Sequence, residues 1–444
     1  MIDPSAGPDQ SHVAALSTRD ARSIPAPLSI NGVTLPDGTT TDLHIAQGRY
    51  VQDPPEGAEQ IDAAGLRALP GLVDLHTHLR EPGREDAETV RSGAAAAARG
   101  GWTAVCAMAN TNPVTDTAEA AQHLHALAAD ADAQVVPIGA ISKGLGGEEL
   151  AELGLMNRHA GVRLFSDDGR CVADSRLMRR AFEYVRDFGG VLAQHAQDPA
   201  LAGDQACCHE GEWSGRLGLP GWPPQAESVI VARDVQLAEL TRSRLHVCHV
   251  TSAESVEVLR WAKARGIQVT AEVTPHHLLL TTDLLADYDT TFKVNPPLRT
   301  DEHVEALRAG LADGTIDAVA TDHAPHAPQD KDHAFVDARP GMLGLEHALG
   351  VVLDTMVATG ALDWSGVADR MSQAPARIAG LADQGQGFTV GDPASLVLID
   401  PGARAVVDRS QTASLSRNNP YHGRELADPV VRTIWNGRTT WLQS

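Results

Sequence analysis

The sequence predicts an α/β fold, a (β/α)8 TIM barrel with a small discontinuous β domain formed by both termini. Three observations predict it. Apolar strand runs alternate with helix-like stretches through the middle of the chain, at 70–76, 103–109, 134–141, 162–167, 191–195, 244–249, 268–274 and 317–321. Segments rich in short strands and turns flank that middle on both sides. Side chains suited to hold a metal fall at the ends of the runs, where this fold gathers its chemistry.

Residues 1–26 contain Pro, Ser, Asp and Arg without an apolar core, so they read as a flexible N-terminal extension and not as a signal peptide. From 27 to 68 short strands follow, at Leu28-Ser-Ile-Asn-Gly, Leu43-His-Ile-Ala-Gln-Gly and Glu59-Gln-Ile-Asp. Pro36-Asp-Gly38 is a turn signal, because Pro presets φ and Gly accepts positive φ. The same texture returns at Gly391-Asp-Pro-Ala-Ser-Leu-Val-Leu-Ile-Asp and Val430-Val-Arg-Thr-Ile-Trp. Segments 27–68 and 386–444 are therefore expected to build one small domain, with the barrel at 69–385. Helices are expected at Glu85 to Arg99, Asp174 to Asp187, Glu227 to Thr241 and Ala253 to Arg265.

Composition narrows the function. The chain has 444 residues and a formal net charge of -22, which argues against a nucleic-acid surface and against docking on an anionic membrane. No apolar run approaches the length of a membrane span. Five cysteines, an odd number without regular spacing, suit reduced thiols in a cytoplasmic protein. The adjacent Cys207 and Cys208 make a poor chelate.

His76 and His78 end the first apolar run two residues apart, so on a strand both imidazoles share a face. Alone, such a pair is also met in ordinary loops. Asp322 directly follows a buried run, where a carboxylate needs a cation or donors; a helix N-cap is the other reading. His195 and His249 end two further runs, and His246 reads as an interior histidine. Asp167 and Asp168 repel each other; a two-metal centre bridged by one carboxylate would relieve this. An Asx-turn or cap remains open for Asp167.

Gly71 to Gly83 (GLVDLHTHLREPG), Asn110-Thr-Asn-Pro, Asp167-Asp-Gly, Ala271-Glu-Val-Thr-Pro-His-His-Leu-Leu-Leu, Val294-Asn-Pro-Pro-Leu-Arg and Ala320-Thr-Asp-His-Ala-Pro-His resemble the dihydroorotases, amidohydrolases in their longer bacterial form. The resemblance runs from about residue 28 to the C-terminus. It implies two zinc ions per subunit: His76, His78 and Asp322 on the first, His195 and His249 on the second, with Asp168 bridging. Many cyclic amidohydrolases bridge with a carbamylated lysine, but no lysine lies between Lys143 and Lys263. It further implies substrate contacts from Arg80, Asn110, Asn295, His326, Pro340 and Gly341, with Arg80 gripping a carboxylate. Gln329 to Asp337 looks like a mobile loop over the site.

The implied reaction is closure of carbamoyl aspartate to dihydroorotate, and its reverse, in pyrimidine synthesis. Asp322 would be both metal ligand and proton carrier. Two alternatives stay open: a hydantoinase- or allantoinase-like enzyme, and a non-catalytic partner of aspartate transcarbamoylase. The resemblance also raises aspartate transcarbamoylase as a partner of the active enzyme, and a homodimer. Ala109 and the run His195-Ala-Gln-Asp198 depart from the usual family motifs.

Overall fold

The computed structural model describes residues 25–443. The expected N-terminal extension lies outside them, apart from residues 25 and 26. The strands, in chain order, are β1 (Leu28–Thr34), β2 (Thr40–Ala46), β3 (Arg49–Val51), β4 (Glu59–Asp62), β5 (Arg67–Pro70), β6 (Leu72–Thr77), β7 (Trp102–Ala107), β8 (Gln134–Pro137), β9 (Leu164–Phe165) and β10 (Val191–Gln194). They continue as β11 (Cys208–His209), β12 (Gly221–Trp222), β13 (Arg244–Val247), β14 (Val269–Val273), β15 (Ala318–Val319), β16 (Leu396–Ile399), β17 (Arg404–Val406), β18 (Glu425–Ala427), β19 (Val430–Trp435) and β20 (Arg438–Leu442).

Strands from both ends of the chain share one sheet, in the order β20-β19-β16-β5-β1-β2-β3, with β4 beside β1. Its core is formed by Leu28, Ile30, Val33, Ile45, Leu396 and Ile434. The turn at Pro36 to Gly38 closes through Leu35 N–H donating to the Thr39 carbonyl at 2.8 Å. β5 runs to Pro70, two residues past the sequence-based boundary at 68, and pairs antiparallel with β16 before the chain enters the barrel.

The barrel strands are all parallel. β6-β7-β8 form one arc and β9-β10-β13-β14-β15 the other. Bridges at Gly139↔Phe165 and Thr77↔His323 join the arcs into a closed (β/α)8 barrel. Leu75, Cys106, Ile138, Val191, Cys248 and Ala318 form a buried cluster inside it, joined by Ile378 and Ala379. Helices cover the outside, among them Val90–Arg99, Ser175–Val185, Gln225–Thr241 and Ala253–Ala264. The first starts later than the Glu85 expected, because Thr89 caps it with Ser92 in a reciprocal box. Among the described residues no helix is long and apolar enough to cross a membrane.

Two local devices set up the mouth of the barrel. On β6, Asp74 faces Val105 while Thr77 faces Ala107, so β6 carries an extra residue there. Such a bulge re-aims the side chains beside it. It lets Leu75 join the interior cluster while His76 also faces the site. Asp74 then stitches the first barrel strand to the last, accepting from Thr321 N–H at 2.8 Å and from the Thr321 hydroxyl at 2.6 Å. Burial pushes its carboxyl up to about 6.

Candidate metal and substrate site

Six polar side chains converge at the carboxyl ends of the barrel strands. His76 lies on β6, and His78 directly follows it. Asp168, His195, His249 and Asp322 follow β9, β10, β13 and β15 within three residues. All are buried. Asp168 is the hub: its Oδ1 lies 3.3 Å from His76 Nε2, 3.3 Å from His195 Nδ1 and 3.2 Å from His249 Nε2. Its Oδ2 lies 3.3 Å from His78 Nε2. Asp322 Oδ1 closes the other side, 3.0 Å from His78 Nε2 and 3.5 Å from His76 Nε2.

The tautomers indicate what this cluster can hold. His76 Nδ1–H donates to Glu272 Oε1 at 2.7 Å, leaving Nε2 buried without a hydrogen-bond partner. Pairing with Asn110 Oδ1 at 2.9 Å occupies His78 Nδ1 and leaves Nε2 facing Asp322 and Asp168. For His195 the outer nitrogen is Nε2, 2.8 Å from Gln197 Oε1, and Nδ1 faces inward. An outer acceptor thus holds these three rings with their other nitrogen facing the carboxylates, as metal-bound histidines are usually held. Two donor sets follow, His76/His78/Asp168 and Asp168/His195/His249, each with ligand atoms within 4.8 Å of one another. Imidazole nitrogens with carboxylate oxygens suit zinc and similar divalent ions, so the residues present fit a pair of such ions.

Burial alone would keep the Asp168 carboxyl protonated. Among the protein groups alone, positive charge at His76 and hydrogen bonds from His195 and His249 pull it well below the usual range, and charge at His76 and His78 lowers Asp322 likewise. His76 is correspondingly raised despite its burial. Asp167 faces elsewhere: its Oδ1 accepts from the backbone N–H groups of Ile141 and Ser142 at 2.7 and 3.0 Å. The neighbouring aspartates are therefore separated by direction, and Asp167 neither caps a helix nor closes an Asx-turn but ties its strand end to the backbone at 141–142.

Three site residues, Arg80 (φ 62), His249 (φ 31) and Asp322 (φ 45), hold left-handed backbone. Side chains there cost on the order of 1–3 kcal/mol each, a strain that clusters at functional sites. The surroundings fix it. Behind His249, buried Glu227 accepts from Thr251 N–H at 3.1 Å and Ser252 N–H at 3.0 Å. Asp322 sits between the Asp74-bonded Thr321 and the bridge at His323, and no helix begins there for it to cap.

Arg80 enters the same mouth, with Nε donating to the Pro325 carbonyl at 3.0 Å and Nη2 3.4 Å from His326 Nε2. Burial lowers its guanidinium to about 10, still charged at neutral pH. Glu81 binds the Val90 N–H at 2.8 Å instead of pairing with Arg80. Asn110 Nδ2 donates to the Asp168 carbonyl at 3.3 Å, and Asn295 Nδ2 to Gln197 Oε1 at 3.1 Å. His326 Nε2–H donates to the Pro340 carbonyl at 2.8 Å. Gly341 has φ 145, and a Cβ there would lie 2.8 Å from His326 Nε2, so only glycine fits. All the sequence-predicted residues thus come to one end of the barrel.

Sequence reasoning missed the support behind them. Glu272 accepts from His76 and, through Oε2, from His246 Nε2 at 2.9 Å; these bonds hold it at about 2 against the pull of burial. A carboxylate within the apolar run 269–273 was the available signal. His276 is fully buried with both ring nitrogens unpartnered, and burial lowers it to about 4. Its place in a His-His pair gave no hint of this.

Residues 66–255 match the Dihydro-orotase-like family and residues 223–440 the Amidohydrolase family. A dihydroorotase of Streptomyces coelicolor is 57% identical, over 87% of this chain and 90% of the relative. Those of Leifsonia xyli subsp. xyli and Mycobacterium tuberculosis are 56% and 51% identical, over 93% and 91% of this chain and 95% of each relative. Among solved structures, the L-hydantoinase (dihydropyrimidinase) of Arthrobacter aurescens superposes with a TM-score of 0.83 at 26% identity, covering 93% of this chain and 95% of that one. A dihydropyrimidinase from Brevibacillus agri NCHU1002 gives 0.80 at 22%, over 93% and 94%, a likeness of fold. With half of its residues shared with dihydroorotases along nearly its whole length, the chain belongs to the dihydroorotase family of the amidohydrolases, enzymes that hydrolyse a cyclic amide.

Proposed function

We propose that this chain is a zinc-dependent dihydroorotase, interconverting N-carbamoyl-L-aspartate and L-dihydroorotate in the third step of UMP synthesis. The observation that carries the reading is the half-buried Arg80 guanidinium entering the same mouth as the Asp168-centred cluster. A substrate with a carboxylate beside a cyclic amide is what that pairing would recognise, because guanidinium grips carboxylate bidentately. Hydantoins and dihydrouracil lack that group. In this reading His76, His78 and Asp322 hold one zinc, His195 and His249 the second, and Asp168 bridges. When bound, such ions lower the pKa of a water and polarise an amide carbonyl.

The chain's own residues do the rest. Arg80, Asn110 and His326 hold the substrate carboxylate, while Asn295 and the backbone of Pro340 and Gly341 read the ring. Asp322 takes the proton of the attacking water and passes it to the ring nitrogen as the C–N bond breaks. In the synthetic direction it runs the same transfer backwards.

Two results are expected. Arg80→Met raises KM for dihydroorotate by about two orders of magnitude, as loss of a bidentate charged contact does, and leaves metal content unchanged. Wild-type enzyme that turns over dihydrouracil as fast as dihydroorotate would contradict the carboxylate reading. Glu272→Gln weakens zinc binding about 10–100-fold in a chelator competition, the usual effect of losing a carboxylate behind a ligating histidine. Unchanged affinity would remove Glu272 from that role.

A further inference from the structure

The chain has only four lysines, with arginine supplying every other cation. Two of the four, Lys293 and Lys331, reach toward each other's segments between the strand-end loop bearing Asn295 and the segment ending in Pro340-Gly341. Lys331 Nζ donates to three backbone carbonyls: Thr290 at 3.0 Å, Lys293 at 3.2 Å and Arg339 at 2.8 Å. From the other side, Lys293 Nζ donates to the Val336 carbonyl at 2.7 Å and lies over the Phe335 ring. Between them Gly341 N–H donates to the Lys293 carbonyl at 2.9 Å. On the outer side, Asp330 pairs with Arg84 and lies 3.3 Å from Arg339 Nε.

This arrangement is not an ordinary surface ion pair. An ammonium sends three protons from one atom toward three carbonyls, which a planar guanidinium cannot do. Holding two like charges close together is unfavourable, and burial followed by repulsion from Lys293 lowers Lys331 to about 7. The carbonyl bonds must offset that cost. They join the two walls that flank the substrate position.

We propose that Lys331 and Lys293 are positioning residues, a reciprocal clamp that fixes the 328–341 segment against the Asn295 loop and so sets the substrate pocket. The proposal rests on the reading of Asn295, Pro340 and Gly341 as substrate contacts. Neither lysine touches the reacting atoms.

The test compares wild type with Lys331→Met, Lys331→Arg and Lys293→Met in steady-state dihydroorotate hydrolysis, metal analysis and hydrogen exchange. Lys331→Met is expected to raise KM about tenfold or more while kcat stays within about threefold, the signature of lost ground-state and transition-state binding alike. Metal content should stay at the wild-type value. Amides in 288–296 and 328–342 should exchange faster, with those of the barrel strands unchanged. Lys331→Arg keeps the charge but not the geometry, so it should also raise KM; a wild-type KM would show simple attraction of an anionic substrate and overturn the clamp. If Lys331→Met does not fold, Lys293→Met, which removes one donor group, decides by the same readouts: unchanged KM and exchange overturn the proposal. Wild type without dihydroorotate turnover would instead refute the functional reading, whatever the exchange data show.

Discussion

Asp168→Asn is expected to leave the purified chain with fewer than two zinc equivalents and to cut dihydroorotate turnover by about three orders of magnitude or more, as loss of a group on which a whole site depends does. The reason is geometric. One carboxylate faces four imidazoles, with contacts of 3.2 to 3.3 Å, and its negative charge offsets whatever cations lie between them. An asparagine would present one neutral oxygen and one NH2 group, and the latter has no lone pair to offer a cation. Metal analysis beside single-turnover rates checks this. Two equivalents and a normal rate in the variant would show that Asp168 does not bridge.

The second large effect is at Asp322. Asp322→Asn should lower kcat by about 10²–10⁴, the range for a positioned general acid–base, with KM little changed. The substitution is well chosen for the backbone. Asp322 sits at φ 45, and Asn is among the few residues that tolerate the left-handed region. With zinc content unchanged, a fall in rate would therefore report lost proton transfer and not a refolded loop. Near-normal turnover with both metals bound would remove Asp322 as the proton carrier.

Much of this was legible in the sequence because period and position carry it. Eight apolar runs separated by helical stretches gave the barrel, and metal-type residues after those runs gave its working end. The pairing of Leu396–Ile399 with Arg67–Pro70 was readable only as similar texture at both ends of the chain. The bulge on Leu72–Thr77 was not readable, since register depends on the neighbouring strand. Period-two reasoning nevertheless placed His76 and His78 together, because the bulge turns His76 toward the site. The support was harder still. Glu272, Asp74 and Glu227 bind partners 23 to 247 residues away, so an apolar run around a carboxylate can mark it as buried but not say what it holds. Asp167 is a related case: the sequence left it an Asx-turn or cap, while its bonds to the distant Ile141 and Ser142 backbone give it another structural role.

The most direct test is to strip the purified chain with a chelator and return zinc stepwise while following dihydroorotate hydrolysis. Activity should be absent without metal and rise to a plateau at two equivalents per chain. Full activity in the stripped chain, or a plateau with no metal retained, would contradict a two-ion centre built on Asp168.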